Sequence, residues 1–199
     1  MQEITMERSA HIERKTKETD ITLKLFLDSL QPSNIQTGIG FFNHMLTLFA
    51  AHGRMSIELT AKGDLEVDAH HTVEDTGICL GKAFQKALGD KQGIVRFGQA
   101  IVPMDEACSS VIVDISGRGY FVYQGQKLHG LIQTYSEELT LEFFKAFAHN
   151  AQITMHIQQL YGDNRHHIHE SMFKAAGIAL YKAYTIGDST GIPSTKGVL

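Results

Sequence analysis

Apolar and polar positions alternate through most of the first thirty residues. Residues 4–12 (ITMERSAHI) and 21–29 (ITLKLFLDS) carry a period of two, and the charged KTKETD run between them predicts a turn joining two strands. Beyond Gly38 and Gly40 the period changes. FFNHMLTLFAAHG, residues 41–53, spaces its apolar side chains as a helix does and stops at Gly53. SIELTA (56–61) returns to strand patterning and KGD is its turn. Residues 70–88 (HHTVEDTGICLGKAFQKAL) contain no Pro and predict a long helix ending at Gly89.

The same order then recurs. Strands are expected over 98–105, 108–116 and 119–125, and a helix over 136–150 with Ser136 as its N-cap. A strand follows over 152–160, then a second long helix over 166–184, and a loop tail over 186–199 rich in Gly, Pro, Ser and Thr. The recurrence extends to residue identity. His166, His167 and Glu170 follow His70, His71 and Glu74 at a spacing of 96, as Gly177 follows Gly81, Ala179 follows Ala83, Lys182 follows Lys86 and Ala183 follows Ala87. Upstream the spacing is 98, where Phe147 and Ala148 follow Phe49 and Ala50. A two-residue difference in one loop accounts for that slip. The expectation is an α/β (α+β) chain made by tandem duplication of a βαβ-type half-domain, sheets packed against helices, with halves at 1–92 and 93–199 forming one compact unit.

Composition narrows the function classes. A net charge of −4 with no basic run gives no electrostatic footprint for nucleic acid. Two cysteines, Cys79 and Cys108, make no disulfide framework, and the charged N-terminal run has no apolar h-region. The weakly charged stretch Thr37–Gly53 is too short and too polar for a membrane span. A soluble, cytoplasmic protein is expected. One count is out of line: 11 His against six Arg. Imidazole is the commonest metal ligand and the side chain that titrates nearest neutrality, so metal binding or proton chemistry is implied.

Spacing favours metal. His-His-x-x-Glu occurs twice, at His70-His71 with Glu74 and at His166-His167 with Glu170. On a helix the first His and the Glu share a face. The second His is rotated by about 100°, toward a different ion or a neighbouring subunit. The upstream helix of each half adds a group at a matching position, His44 and Glu142. The set His44, His70, His71, Glu74, Glu142, His166, His167 and Glu170 mixes nitrogen and oxygen without thiolate, which suits Mn, Fe, Co or Zn and, with an open position, six-coordinate Mn²⁺. The plain alternative is that the doublets merely cap helix starts.

Four cations form a second constellation: Arg96, Arg118, Lys174 one turn beyond Glu170, and Lys196 in a Ser194-Thr195-Lys196-Gly197 loop. Guanidinium forks, an ammonium and hydroxyls beside Gly can grip a phosphate without a P-loop. His52, on the helix that carries His44, is placed to face the same site. His156 can be core or near the ligands, His149 a C-terminal cap, and His11, His129 and His169 read as surface residues. The residues alone leave open a metal-dependent enzyme acting on a phosphorylated substrate, such as a dinuclear metal phosphohydrolase, and a metal-storage or metal-sensing protein. The last leaves the cations and the tail unexplained.

The ordered motifs TKET, TGIGFFNHML, GDLEVDAHHTVEDTGICLG, GIVRFG, PMDEA, DISGR, EFF, TMHI, HHIHESMFKA and PSTKG span essentially the whole chain. Together they resemble the imidazoleglycerol-phosphate dehydratase family of histidine biosynthesis. The resemblance implies a tandem βαβ-type fold of the ribosomal protein S5 domain 2-like kind, assembled into trimers and a 24-subunit shell with active sites between subunits. It implies two Mn²⁺ ions per active site on the eight ligands above. Glu142 stands where the family usually has His, and Asn43 where it usually has Asp. It implies phosphate contacts at Arg96, Arg118, Lys174, Ser194 and Lys196, with Thr195 beside them, and substrate contacts at Glu18, His44, His52, His70 and His166. The implied reaction is loss of water from D-erythro-imidazole glycerol phosphate to give imidazole acetol phosphate, the ring being held as imidazolate. The catalytic carboxylates expected are Glu18, Glu74 and Glu170.

Overall fold

The computed structural model describes residues 8–188 and 190–199. Residues 4–7 of the strand expected over 4–12 lie outside them. In chain order the elements are β1 (Ser9–Lys15), β2 (Thr19–Leu27), β3 (Asn34–Gln36), α1 (Gly40–His52), β4 (Met55–Gly63), α2 (His70–Leu88), β5 (Phe97–Met104), β6 (Ala107–Asp114), β7 (Tyr120–Gln124), β8 (Leu131–Ile132), β9 (Tyr135–Ser136), α3 (Leu139–Ala151), β10 (Thr154–Tyr161) and α4 (Arg165–Tyr184). No described helix is long and apolar enough to cross a membrane.

Two four-stranded sheets have matching orders, β1-β2-β4-β3 and β5-β6-β10-β7. In each, a hairpin and a third antiparallel strand are followed by one parallel strand at the edge, β3 on β4 and β7 on β10. The duplication read from the sequence is therefore also a duplication of topology. Helix α2 covers β1 and β2, and α4 covers β5 and β6. The helices then meet across the middle, α1 against α4 and α2 against α3, giving layers in the order sheet, helices, helices, sheet.

Patterning explains the layers. Ile21, Leu23, Leu25 and Leu27 alternate inward from β2, and Phe42, Met45, Leu46, Phe49 and Ala50 form one stripe of α1. Phe143 of α3 is the hub where the helices meet, in ring contact with Phe42, Phe49, Phe144, Phe147 and Phe173. Two glycines set how closely the helices approach. A Cβ on Gly81 would stand 2.6 Å from the Phe147 carbonyl oxygen, and one on Gly177 would stand 2.5 Å from that of Phe49. The pairs repeat at the spacings of 96 and 98, so the duplication kept the helix contact as well as the ligands.

Three expectations change. The three-residue strand β3 and the β8–β9 hairpin lie where no strand was expected; both are too short for alternation to show. Ser136 closes β9 and does not cap α3, which begins at Leu139 with Glu138 at its N-cap position. His149 lies in the last turn of α3, and Gln152 in the left-handed conformation forms the cap.

Candidate active site

His44 on α1 and His166 and Glu170 on α4 converge where these helices pack. Glu170 Oε1 stands 3.0 Å from His44 Nε2 and 3.0 Å from His166 Nε2. One nitrogen from each His and one Glu170 oxygen lie within 4.8 Å of one another, and among the described residues only this trio converges so. Its other oxygen is 2.5 Å from Lys174 Nζ. Burial pushes the Glu170 carboxyl up, but hydrogen bonds from Lys174, His44 and His166 outweigh it and hold the group at about 2. His52 is shifted down by burial and by the nearby Lys174 charge, opposed by Glu170. A donor set of two imidazoles and a carboxylate fits a divalent ion of the Mn–Zn series. Both cysteines are buried and free, and neither belongs to the trio.

The counterpart on α2 and α3 is more open. His70 Nε2 lies 3.5 Å from Glu74, while Glu142 pairs with Lys145 at 3.7 Å. His70 borders a cleft of about 540 Å³ with Asp68, Leu131, Thr134 and Glu138.

The doublets do not serve as caps. The Asn164 side chain accepts from the His166 and His167 N–H groups, and Asp68 accepts from His70 N–H. Each ring pair is nearly perpendicular, at 86° for His70–His71 and 80° for His166–His167. The second His of each doublet meets acids outside its own helix. His71 Nδ1 lies 3.0 Å from Asp64, and its Nε2 lies 3.8 Å from Glu18. His167 Nδ1 lies 2.7 Å from Glu106, and its Nε2 lies 3.9 Å from Asp105. The hydrogen bond to Asp64 shifts His71 upward, and that to Glu106 shifts His167 upward. Glu106 is held down at about 2 by the same bond and by the Asn164 N–H. Asp64 and Glu106 were missed from sequence, although each lies in a quoted motif, GDLEVD and PMDEA.

The remaining cations lie at the opposite end of α4. Arg96 binds Asp114 through Nε at 2.7 Å and the Pro193 carbonyl through Nη1 at 2.8 Å. Its backbone N–H reaches the Ala183 carbonyl in the last turn of α4, about 25 Å along the axis from His166. Arg96 also has φ +78°, a strained conformation for a side-chain-bearing residue. Arg118 is exposed and reaches the Ser116 carbonyl. Ser194 Oγ accepts from Lys196 N–H in the tail, with Thr195 and Lys196 exposed. Within one chain, Lys174 alone of the expected phosphate contacts stands at the His44 trio.

Two expectations about other histidines are overturned. His169 is wholly buried, because 169, 172, 173, 176 and 180 form the inward stripe of α4. Thr140 and Glu137 meet its two nitrogens at 2.9 and 3.4 Å, and burial pushes it down to about 4. His156 is exposed, because alternation along β10 turns Met155 and Ile157 inward instead. Asn43 does not reach the ligands; its side chain accepts from the Thr37 N–H and hydroxyl, bracing the turn into α1.

Residues 37–180 match the family model described as imidazoleglycerol-phosphate dehydratase. The imidazoleglycerol-phosphate dehydratase of Oceanobacillus iheyensis is 53% identical over 193 residues, covering 96% of this chain and all of that protein. Among solved structures, the Staphylococcus aureus enzyme superposes with a TM-score of 0.82 at 38% identity, over 90% of this chain and 99% of the other. The Pyrococcus furiosus enzyme in complex with (S)-C348 gives 0.81 at 38% identity, over 94% of this chain and all of the other. With its duplicated fold and its His–Glu trio, the chain belongs to the imidazoleglycerol-phosphate dehydratase family, hydro-lyases of histidine biosynthesis.

Proposed function

We propose that the chain converts D-erythro-imidazole glycerol phosphate to imidazole acetol phosphate and water, on a site that takes two Mn²⁺ ions and receives the substrate ring as imidazolate. The convergence of His44, His166 and Glu170 carries this reading. One ion falls to that trio and the other to His70, Glu74 and Glu142, with His71 and His167 supplying further nitrogens. When bound, divalent ions at these ligands supply Lewis-acid polarisation of the substrate ring. The carbon-bound proton to be lost is not next to a carbonyl, so the ring must accept the electrons.

The chain's own groups do the rest. Glu18 is half-exposed beside His71 Nε2 and moves a proton at the substrate carbon or hydroxyl. Glu170, ionised down to about pH 2, serves as a fixed acceptor, and Glu74 plays the matching part on α2. Arg96, Arg118, Ser194, Thr195 and Lys196 grip the phosphate, together with Lys174. Because Arg96 sits at the far end of α4 from His166, a working site joins the ligands of one chain to the phosphate grip of another. This favours self-association, to trimers and a 24-subunit shell. Exposed Phe97, Ile101, Ile112 and Tyr120 on the outer face of the second sheet offer apolar surface for it. Residues 1–92 and 93–199 are the two copies of the repeat, and a cytoplasmic setting suits the two free thiols.

The test is incubation of the Mn²⁺-loaded protein with imidazole glycerol phosphate, measuring ketone product and inorganic phosphate together. The proposal expects ketone with the phosphate ester intact. Release of inorganic phosphate without ketone would establish the phosphohydrolase reading instead.

A further inference from the structure

The acids beside the second His of each doublet carry an inference that rests on the metal reading above. Asp64 lies in the β4–α2 connection of the first half, and Glu106 in the β5–β6 turn of the second. They are not counterparts in the repeat: the residue 96 positions after Asp64 is Leu160. By sheet order the counterpart of the β5–β6 turn is the β1–β2 turn, which carries Glu18. Duplication alone therefore does not account for both pairings. Even so, both acids take the same atom, Nδ1 of the doublet's second ring, at 3.0 and 2.7 Å. A carboxylate accepting from Nδ1–H leaves Nε2 as the ring's free lone pair and fixes the ring plane.

We propose that Asp64 and Glu106 are positioning residues that hold His71 and His167 as Nδ1–H tautomers and aim each Nε2 into the open space beside Glu18 and Asp105 to meet a divalent ion. The two halves divide the work differently. In the second half the hairpin acid, Glu106, does the holding and also anchors the start of α4 through Asn164 N–H at 2.8 Å. In the first half Asp64 does it, and the hairpin acid Glu18 faces Nε2, as Asp105 of the second hairpin faces His167 Nε2. The copies thus differ in which element supplies the holding acid, the β4–α2 connection in one and the hairpin turn in the other.

The experiment is a double-mutant cycle in Mn²⁺ affinity, read by calorimetry on the full-length protein with thermal melting followed in parallel. Asp64→Ala and Glu106→Ala should each weaken Mn²⁺ binding by roughly 10–100-fold. In a His71→Ala background, Asp64→Ala should add nothing, and in a His167→Ala background Glu106→Ala should add nothing, because each acid acts through its ring. A merely structural acid would lower the melting temperature and add its loss in both backgrounds. Unchanged affinity in both single variants, or additive losses, would overturn this inference alone. Failure of the unaltered protein to take up Mn²⁺ would overturn the metal reading, and this inference with it.

Discussion

The α1–α4 and α3–α2 helix pairs share one scaffold and differ in charge. Both approach through a glycine against a phenylalanine carbonyl, and both carry a His and a Glu one turn apart on the long helix. In the first pair, His44 and His166 share one carboxylate, which Lys174 also neutralises. In the second, Glu142 replaces the first His, and the positions matching Lys174 and His52 are Ile78 and Asn150. Two carboxylates with one imidazole and no ammonium do not converge unless a cation sits between them. Glu142 turns to Lys145 instead. The first trio is closed by the chain's own charges; the second is left for a cation to close.

The largest effect that breaks or sharpens this contrast is on activity. Glu170→Gln and Glu74→Gln should each lower kcat/KM by at least about 100-fold in a steady-state dehydration assay, since each removes a ligand carboxylate. Full activity in Glu74→Gln would make the second trio ornamental. Next comes assembly. Chelation at neutral pH should split the proposed 24-subunit shell into smaller oligomers in a sedimentation run, while an unchanged coefficient would separate assembly from metal.

Stability effects are smaller. Gly81→Ala and Gly177→Ala each push a methyl into a backbone carbonyl and should cost about 2–3 kcal/mol in urea unfolding. Similar losses would support equivalent helix contacts; a loss in one variant only would not. The smallest effect concerns acid. His169 is held at about 4 against an ordinary 6.5. Between those values the unfolded chain binds a proton that the folded one refuses, so this residue makes stability fall as pH drops through that window. In metal-free protein, the advantage of wild type over His169→Gln should shrink by on the order of 2 kcal/mol from pH 7 to 4.5. The neighbouring Glu137, in contact with His169, shifts upward through burial, so the comparison is made with Glu137→Gln in both proteins to remove its own titration.

Sequence carried much of this. The four helices, the long strands and the HHxxE repeat were legible because periodicity and identity at fixed spacing are local signals. His169 was not, because a histidine on an inward stripe reads as polar until Thr140 and Glu137 are seen to satisfy it. Asp64 and Glu106 were hidden for another reason: their partners are set by turns, 7 and 61 residues away, and by no repeat. The distance between Arg96 and the His44 trio was hidden too, since order along a chain says nothing of which end of a helix a strand reaches.

The most direct test is a crystal structure of the Mn²⁺-loaded protein with anomalous scattering at the manganese edge. The account predicts two manganese peaks per chain, one at His44, His166 and Glu170 and one at His70, Glu74 and Glu142, each completed by a His71 or His167 from a neighbouring chain. A single peak per chain, or two peaks ligated wholly within one chain, would contradict it.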